Sequence, residues 1–444
     1  MTPATAWRGG WRQGLAYGGL GLPLAFVALP LYVVLPNHYA QEFGVPLATL
    51  GTLLLGARAL DAVADPWIGR FADRWFERSM RRVLAVAVLA AVLLALGFRA
   101  LFFPPSGTVG TPALLWWCAG GLALTYLAYS VLSVLHQAWG ARLGGDEPQR
   151  ARIVSWREAL ALVGVLVASV LPSVAGLGVA SVVFALALAG GVALLWRAPR
   201  PVAAPSAGEP ASLALPWRSG AFRRLLAIFL VNGIASAVPA TLVLFFIRDR
   251  LEAPAFEPLF LASYFAAAAL SMPLWVRLVG RLGLARAWLA GMGLAVATFA
   301  WAATLGAGDI AAYTAVCVAS GLALGADLAL PGALLAGVVQ QAGHAGRAEG
   351  AYFGWWNGAA KLNLALAAGL ALPALAALGY APGSRSPEAL QALTLTYCLL
   401  PCALKLAAAA MLWALWIRPS LHTGGAPLPH LPHTPSDTPE EPRR

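Results

Sequence analysis

Three ionisable residues in one apolar stretch have the spacing of a cation-binding site. Arg58, Asp61 and Asp65 are three and then four residues apart, so in a helix they share one face. Two carboxylates one turn apart cannot both stay ionised in a low dielectric unless a cation joins them or one holds a proton. The pattern predicts a coupling site for Na⁺ or H⁺. A structural network, in which Arg58 neutralises one aspartate, is the alternative.

Other formal charges also fall inside apolar stretches, namely Arg157, Glu158, Asp327, Lys361 and Lys405. A charge at the bilayer centre costs about 2.5–3.5 kcal/mol, so each is a candidate functional residue. Counted from the cytoplasmic ends of their predicted spans at about 1.5 Å per residue, Asp65 lies roughly 9 Å deep, Lys361 roughly 14 Å and Asp61 roughly 15 Å. We therefore expect Lys361 to balance the acid pair when no cation is bound, and Arg58, on the same helical face as the aspartates, is the second predicted charge-balancing residue. Asp327 could pair with Lys405, and Glu158 is expected to pair with a base on another span.

The elements that must position these residues are membrane spans. Of the 444 residues, 60% are hydrophobic and 11% are charged, against about 45–50% and about 25% in soluble domains. This composition excludes a conventional soluble enzyme. We predict twelve spanning helices, each long enough to cross the bilayer: 14–36, 47–71, 82–103, 111–139, 153–174, 177–196, 223–246, 257–279, 286–305, 310–338, 352–377 and 393–417.

The net charge of +11 indicates the orientation of the chain in the membrane and not a nucleic-acid partner. With the N-terminus in the cytoplasm, most Lys and Arg residues fall in cytoplasmic segments, as the positive-inside rule requires. We therefore predict a multi-pass inner-membrane protein with both termini in the cytoplasm. Its expected partners are the lipid bilayer and a small-molecule substrate, with no nucleic acid, and it is expected to be a monomer.

A short sequence motif that occurs twice indicates two six-helix halves. Pro66-Trp67-Ile68-Gly69-Arg70 ends the second span, and Pro273-Leu274-Trp275-Val276-Arg277 ends the eighth. The fold class predicted is an all-α membrane protein with two pseudo-symmetric halves, the architecture of a transporter that rocks about a central site. The divisions are 1–196 for the first half, 197–222 for a cytoplasmic linker, 223–418 for the second half, and 419–444 for a Pro-rich disordered cytoplasmic tail. The acid pair belongs to the first half only, since Ala268 and Met272 hold the matching positions.

Residues 56–69, with the sequence GARALDAVADPWIG, resemble the second helix of the glycoside–pentoside–hexuronide:cation symporters, a family of the major facilitator superfamily. Supporting matches are Tyr129-Ser130, Trp156-Arg157, Asn232-Gly233 and Lys361. The resemblance implies the major facilitator fold and a cation site built from Asp61, Asp65 and Ser130. The family has an amide where this chain has Ala64. The loss of that oxygen favours H⁺ over Na⁺ as the ion bound by the two aspartates. No metal other than this possible Na⁺ is expected.

The resemblance also implies substrate-binding positions in the fourth, fifth and eleventh spans. Ser133 stands where the family has a sugar-binding carboxylate, and Gln137 stands where it has a stacking aromatic residue. Arg157 matches the family's arginine of the fifth helix. Asn357 holds a polar, substrate-facing position.

A loop motif after the second span, with Gly69, Asp73 and Arg74, matches the superfamily's cytoplasmic loop. Its charges are expected to latch helix ends and control the conformational cycle, and contact with anionic lipid is the alternative.

The function predicted from these observations is cation-coupled symport of a small polar solute, sugar-like or glycoside-like, by alternating access. The sequence contains no Walker A motif, metal triad or nucleophile elbow, so neither an enzyme nor a cofactor is expected. Proton-coupled efflux, or carriage of a lipid-like amphiphile, is the alternative within transport. A non-transporting membrane sensor is the alternative outside it.

Overall fold

The computed structural model describes residues 7–105, 107, 112–201, 212–381 and 383–419. These residues form helices joined by short loops, as predicted. The Pro-rich tail lies outside the described residues except at its first position, and so do residues 202–211 of the predicted linker.

Twelve helical rods follow one another along the described chain. The first, α1, consists of Trp11–Gly18, Gly21–Leu29, a π-helical turn at Pro30–Val34 and Leu35–Phe43. The next three are α2 (Leu47–Arg78), α3 (Met80–Phe102) and α4 (Pro112–Arg142). Glu147–Arg197 holds two rods, because Gly176 has a φ of 81° that breaks it into α5 (147–175) and α6 (177–197).

The second half continues with α7 (Gly220–Phe245, extended by a π-helical turn at Phe246–Arg250), α8 (Glu257–Leu282), α9 (Leu284–Ala302), α10 (Ile310–Gln341) and α11 (Glu349–Ala377). The last rod, α12, consists of Pro387–Thr394, a π-helical turn at Leu395–Leu399, Leu400–Leu412 and a second π-helical turn at Trp413–Ile417. Ten segments of the described chain are long and apolar enough to cross a membrane, and one of them, Glu147–Arg197, holds both α5 and α6. The remaining rod, α2, is not among these ten segments, and it carries the acid pair.

Local sequence signals explain where several rods begin. Ser79, Asp146, Ser219 and Ser386 each accept a hydrogen bond from a backbone N–H three residues later, at the starts of α3, α5, α7 and α12. Such caps satisfy N–H groups that the first turn of a helix leaves unpaired.

The halves pack against each other at the end of the bundle where α2 ends and α11 begins, which we call the inner end. There the start of α5 contributes Ala151 and Val154 to the core of the second half. Arg150 donates to the amide oxygen of Gln340 at 2.7 Å, and Glu147 accepts from the backbone N–H of Leu284 at 2.7 Å. The prediction places this end in the cytoplasm.

Candidate functional site

Glycines spaced by four residues on α11 let it approach the backbone of α2. A Cβ built on Gly350 would lie 2.2 Å from the carbonyl oxygen of Gly69, and one built on Gly354 would lie 2.5 Å from that of Asp65. Gly358 continues the same face one turn later. Only helices without side chains at the crossing can come this close. The contact fixes the position of Lys361, which follows Gly358 by three residues on that face.

Lys361 reaches from α11 into the acid pair of α2. Its ammonium lies 2.6 Å from Asp61 Oδ2 and 2.7 Å from Asp65 Oδ2, and it donates to Ser130 Oγ on α4 at 2.7 Å. The Ser130 hydroxyl in turn donates to Asp61 Oδ1 at 2.5 Å. Asp61, Asp65 and Ser130 are all buried. The structure therefore brings together the three residues predicted for the cation site, with Lys361 between the two aspartates.

Arg58 does not share in this charge balance, which corrects the prediction for that residue. Its guanidinium carbon lies 3.5 Å from the centre of the Tyr32 ring, a cation–π arrangement. Among the described residues the ion pairs of both aspartates are made by Lys361. Two carboxylates and one ammonium leave one negative charge, if all three groups are ionised. One further cation would neutralise the cluster.

Three of the predicted substrate-binding residues lie one turn closer to the inner end. The Gln137 amide donates to Ser133 Oγ at 3.0 Å within α4 and to Asn357 Oδ1 at 2.9 Å on α11. Asn357 precedes Lys361 by one turn. The bond to Asn357 joins the two halves below the charged cluster. Each of the three groups is of a type that can bond sugar hydroxyls.

Arg157, the fourth predicted substrate residue, is paired within its own helix. Its guanidinium donates to Glu158 Oε1 at 2.9 and 2.5 Å. The prediction that Glu158 pairs with a base on another span is therefore wrong: consecutive helical residues diverge at Cβ, but these two long side chains fold back to meet. Arg157 also contacts α1, because a Cβ on Gly21 would lie 2.5 Å from the Arg157 carbonyl oxygen.

The inner end is closed by a buried ion-pair network around Asp73. Its carboxylate accepts from the backbone N–H groups of Gly350 (2.7 Å) and Ala351 (2.8 Å), at the start of α11. Arg142 of α4 donates to the same carboxylate at 2.7 Å and lies 3.2 Å from Glu349. A carboxylate is favoured at a helix N-terminus, where unpaired N–H groups and the helix dipole attract negative charge.

The predicted gating residues thus divide into two groups. Gly69 and Asp73 contact α11, whereas Arg74 lies over the ring of Phe71 on its own helix, with its guanidinium carbon 5.7 Å from the ring centre. Arg142, which the sequence analysis did not select, is the basic partner in the network. The Gly350-x₃-Gly354-x₃-Gly358 spacing was also missed, although it is readable in the sequence.

A second charged pair lies in the C-terminal half. Lys405 of α12 contacts Asp327 Oδ2 of α10, and the same ammonium donates to Asn232 Oδ1 at 2.7 Å. Asp327 also accepts from Asn232 (3.1 Å), Ser236 (3.1 Å) and the Trp288 indole (2.9 Å). The predicted pairing of Asp327 with Lys405 agrees with this geometry.

Comparisons with known proteins agree on a transport family. Residues 14–418 match the family model described as MFS/sugar transport protein. The inner membrane symporter YicJ of Escherichia coli (strain K12) is 30% identical over 161 residues, which are 36% of this chain and 33% of that protein. YagG of the same strain, whose name describes a glycoside/cation symporter, is 29% identical over 161 residues, or 36% and 34% of the two chains. The matched region thus spans about a third of the length of these relatives.

A solved structure shares the fold over nearly the whole chain. The major facilitator superfamily transporter FucP, in its outward conformation, has a TM-score of 0.65 over 90% of this chain and 98% of its own, at 14% identity. This likeness supports the predicted fold.

Proposed function

Because the chain belongs to the MFS/sugar transport protein family, and so is a major facilitator transporter rather than an enzyme, we propose that it is a cation-coupled symporter of a small polar solute, sugar-like or glycoside-like. The coupling cation binds at Asp61, Asp65 and Ser130. Lys361 is the internal counter-ion that holds these groups when the cation is absent.

The observation that carries the proposal is the bridge from Lys361 to both aspartates and Ser130. Two carboxylates held together in a buried site are costly, and one ammonium leaves a single negative charge. A bound H⁺ or Na⁺ neutralises that charge and weakens the hold on Lys361. H⁺ is favoured because Ala64 offers no side-chain oxygen to complete a Na⁺ shell. The relatives named as symporters support coupling to a cation.

The bridge also links cation binding to the conformational cycle. Lys361 belongs to the C-terminal half and the aspartates to the N-terminal half, so their ion pairs hold the halves together. They act beside the glycine contacts and the Asp73 network at the inner end. Release of Lys361 by a cation breaks the first of these three sets of contacts between the halves. Alternating access requires all three sets to break.

The solute occupies the polar layer of Ser133, Gln137 and Asn357, with Arg157 at its edge. The Gln137 amide bonds Ser133 within α4 and Asn357 across the halves, and a polyhydroxylated solute can replace those bonds with its own. Loading the layer therefore exchanges contacts between the halves for contacts with the solute.

Uptake into proteoliposomes tests the proposal, with the solute selected by a thermal-shift screen of sugars and glycosides. Asp65→Asn should abolish accumulation driven by a cation gradient but retain exchange of labelled for unlabelled solute. Asp309→Asn is the matched control, since Asp309 is exposed in the loop before α10. Gradient-driven accumulation by Asp65→Asn at the wild-type level would refute the coupling role. Imposing a pH gradient without Na⁺, and then a Na⁺ gradient at constant pH, identifies the ion.

A further inference from the structure

The C-terminal half contains a cavity of about 160 Å³, bounded by α7, α8, α9, α10 and α12. Small side chains leave this space open, among them Ala235, Ala295, Ser320, Ala323 and Cys402. Protein interiors are close-packed, and voids much larger than a water molecule are few. An apolar cavity of about 150 Å³ stays dry and takes up benzene. This cavity is therefore large enough for one aromatic ring.

Aromatic rings close one end of the cavity, and two of them are tyrosines whose hydroxyls are hydrogen-bonded to each other. Tyr313 and Tyr397 both line it, and their hydroxyl oxygens lie 2.7 Å apart in a mutual hydrogen bond. Tyr397 stacks on Phe246, with ring centres 4.3 Å apart. One of these two hydroxyls donates to the other, and this end of the cavity is lined mainly by the faces and edges of rings.

The other end of the cavity is formed by the Asp327–Lys405 pair. Both carboxylate oxygens of Asp327 already accept hydrogen bonds, and Lys405 is shared between Asp327 and Asn232. The two opposite charges cancel, so this end presents no net charge to a ligand. Such a cavity favours an uncharged apolar group over an ion, with Ser236 as a hydroxyl near the charged end.

One side of the cavity is less tightly packed than the other. Ala240 on α7 is exposed, and Leu261 on α8 and Leu324 on α10 are half-buried, whereas Tyr397 and Cys402 on α12 are buried. Ala240 is the one exposed residue among those that line the cavity, so we take its position on α7 as the entrance. The inner part of α7 also reaches the coupling site's helix, because a Cβ on Gly233 would lie 1.8 Å from the amide nitrogen of Asn363 on α11.

We propose that this cavity is a subsite for an uncharged aromatic or compact branched alkyl group, such as the aglycone of a glycoside. The inference depends on the proposed function in one respect: the polar part of the ligand is the sugar-like solute that is transported. The cavity supplies ring contacts for the apolar part. The transported ligand is thereby specified as amphipathic rather than as a free sugar.

Binding of 4-fluorobenzyl alcohol to the purified full chain in nanodiscs tests the cavity, with fluorine NMR as the readout. Saturable binding is expected in the wild type. Ala323→Leu, which fills the cavity, should weaken it about tenfold or more, since burial of a phenyl group contributes at least that much. Ala240→Leu narrows the entrance from an exposed position and guards against a folding defect in the buried variant. Ala85→Leu, at an exposed position of α3, is the matched control and should bind as the wild type does.

Non-saturable uptake of the probe, or equal binding by the wild type and both cavity variants, would overturn the inference. A loss of binding in Ala85→Leu as large as that in Ala323→Leu would overturn it as well, by placing the probe in lipid or on the outer surface.

Transport separates this inference from the proposed function. Phenyl and methyl glycosides of the same sugar are compared for gradient-driven accumulation. Preference for the phenyl glycoside, lost in Ala323→Leu, supports both. Equal affinity for the two glycosides, with accumulation intact, overturns the subsite and leaves symport standing. Saturable probe binding without accumulation of either glycoside overturns symport and leaves an apolar ligand site.

Discussion

Replacing Lys361 by methionine removes the ammonium while keeping most of the length of the side chain. The change leaves two buried carboxylates, Asp61 and Asp65, without the cation that lies 2.6 and 2.7 Å from them. Breaking a buried ion pair by removing one partner costs about 3–5 kcal/mol. Because the Lys361 side chain is 22% exposed, we expect a loss in the lower part of that range.

The free energy of unfolding in detergent, measured by denaturant titration, checks this value. Lys361→Met should lose about 3 kcal/mol, which is the cost of stranding charge in a buried site. The double variant Lys361→Met/Asp65→Asn should recover part of the loss, because it removes one of the two stranded charges. If the single variant is as stable as the wild type, or the double variant is no more stable than the single one, the ion-pair bridge does not hold the halves together as argued.

Three further perturbations address the inner end and the second charged pair. Gly354→Ala should abolish uptake and lower the melting temperature, because its Cβ would lie 2.5 Å from a backbone oxygen of α2. Asp73→Ala should speed amide hydrogen exchange at the start of α11, since two N–H groups there lose their acceptor; exchange mass spectrometry measures this. Asp327→Asn alone should destabilise the protein by about 3–5 kcal/mol, and Asp327→Asn/Lys405→Met by less, as denaturant titration would show.

Matched controls for these variants exist in the same chain. Gly280→Ala on α8 has open space around the new methyl group, so normal uptake is expected. Arg74→Ala removes a neighbouring charge that lies over Phe71, so exchange at α11 should stay slow. Equal effects in a test variant and its control would contradict the corresponding contact. For the second pair, a double variant less stable than Asp327→Asn would contradict the pairing argument.

In the second span, local sequence features encode the candidate residues but not all of their partners. The cost of charge in a bilayer made Arg58, Asp61 and Asp65 candidates, and helical spacing placed them on one face. The number of residues from the cytoplasmic end of each predicted span places Lys361 at about the same depth in the membrane as the two aspartates. Spacing along one helix does not predict whether Arg58 or Lys361 pairs with the acids, because that depends on which helix packs opposite. Lys361 takes both aspartates, while Arg58 lies on Tyr32.

Other residues depended on the fold for the same reason. Arg142 closes the inner end because α4 ends beside α2 and α11, a neighbourhood that no local pattern encodes. Glu158 was assigned a distant partner because adjacent helical residues diverge, yet its side chain turns back to Arg157. The cavity among α7–α10 and α12 arises where small residues of α7, α9, α10 and α12 face one another, which the order of residues along each helix does not reveal.

By itself, the sequence determined that this protein is a bundle of membrane helices with one acid pair on one helical face. Hydrophobicity, the positions of arginines and the period of the α-helix are local quantities that can be read along the chain. Tertiary structure decided which charges meet, that glycines 350, 354 and 358 let α11 contact α2, and that the second half keeps an open cavity. These depend on the distances between helices, which the packing of side chains from distant parts of the chain sets.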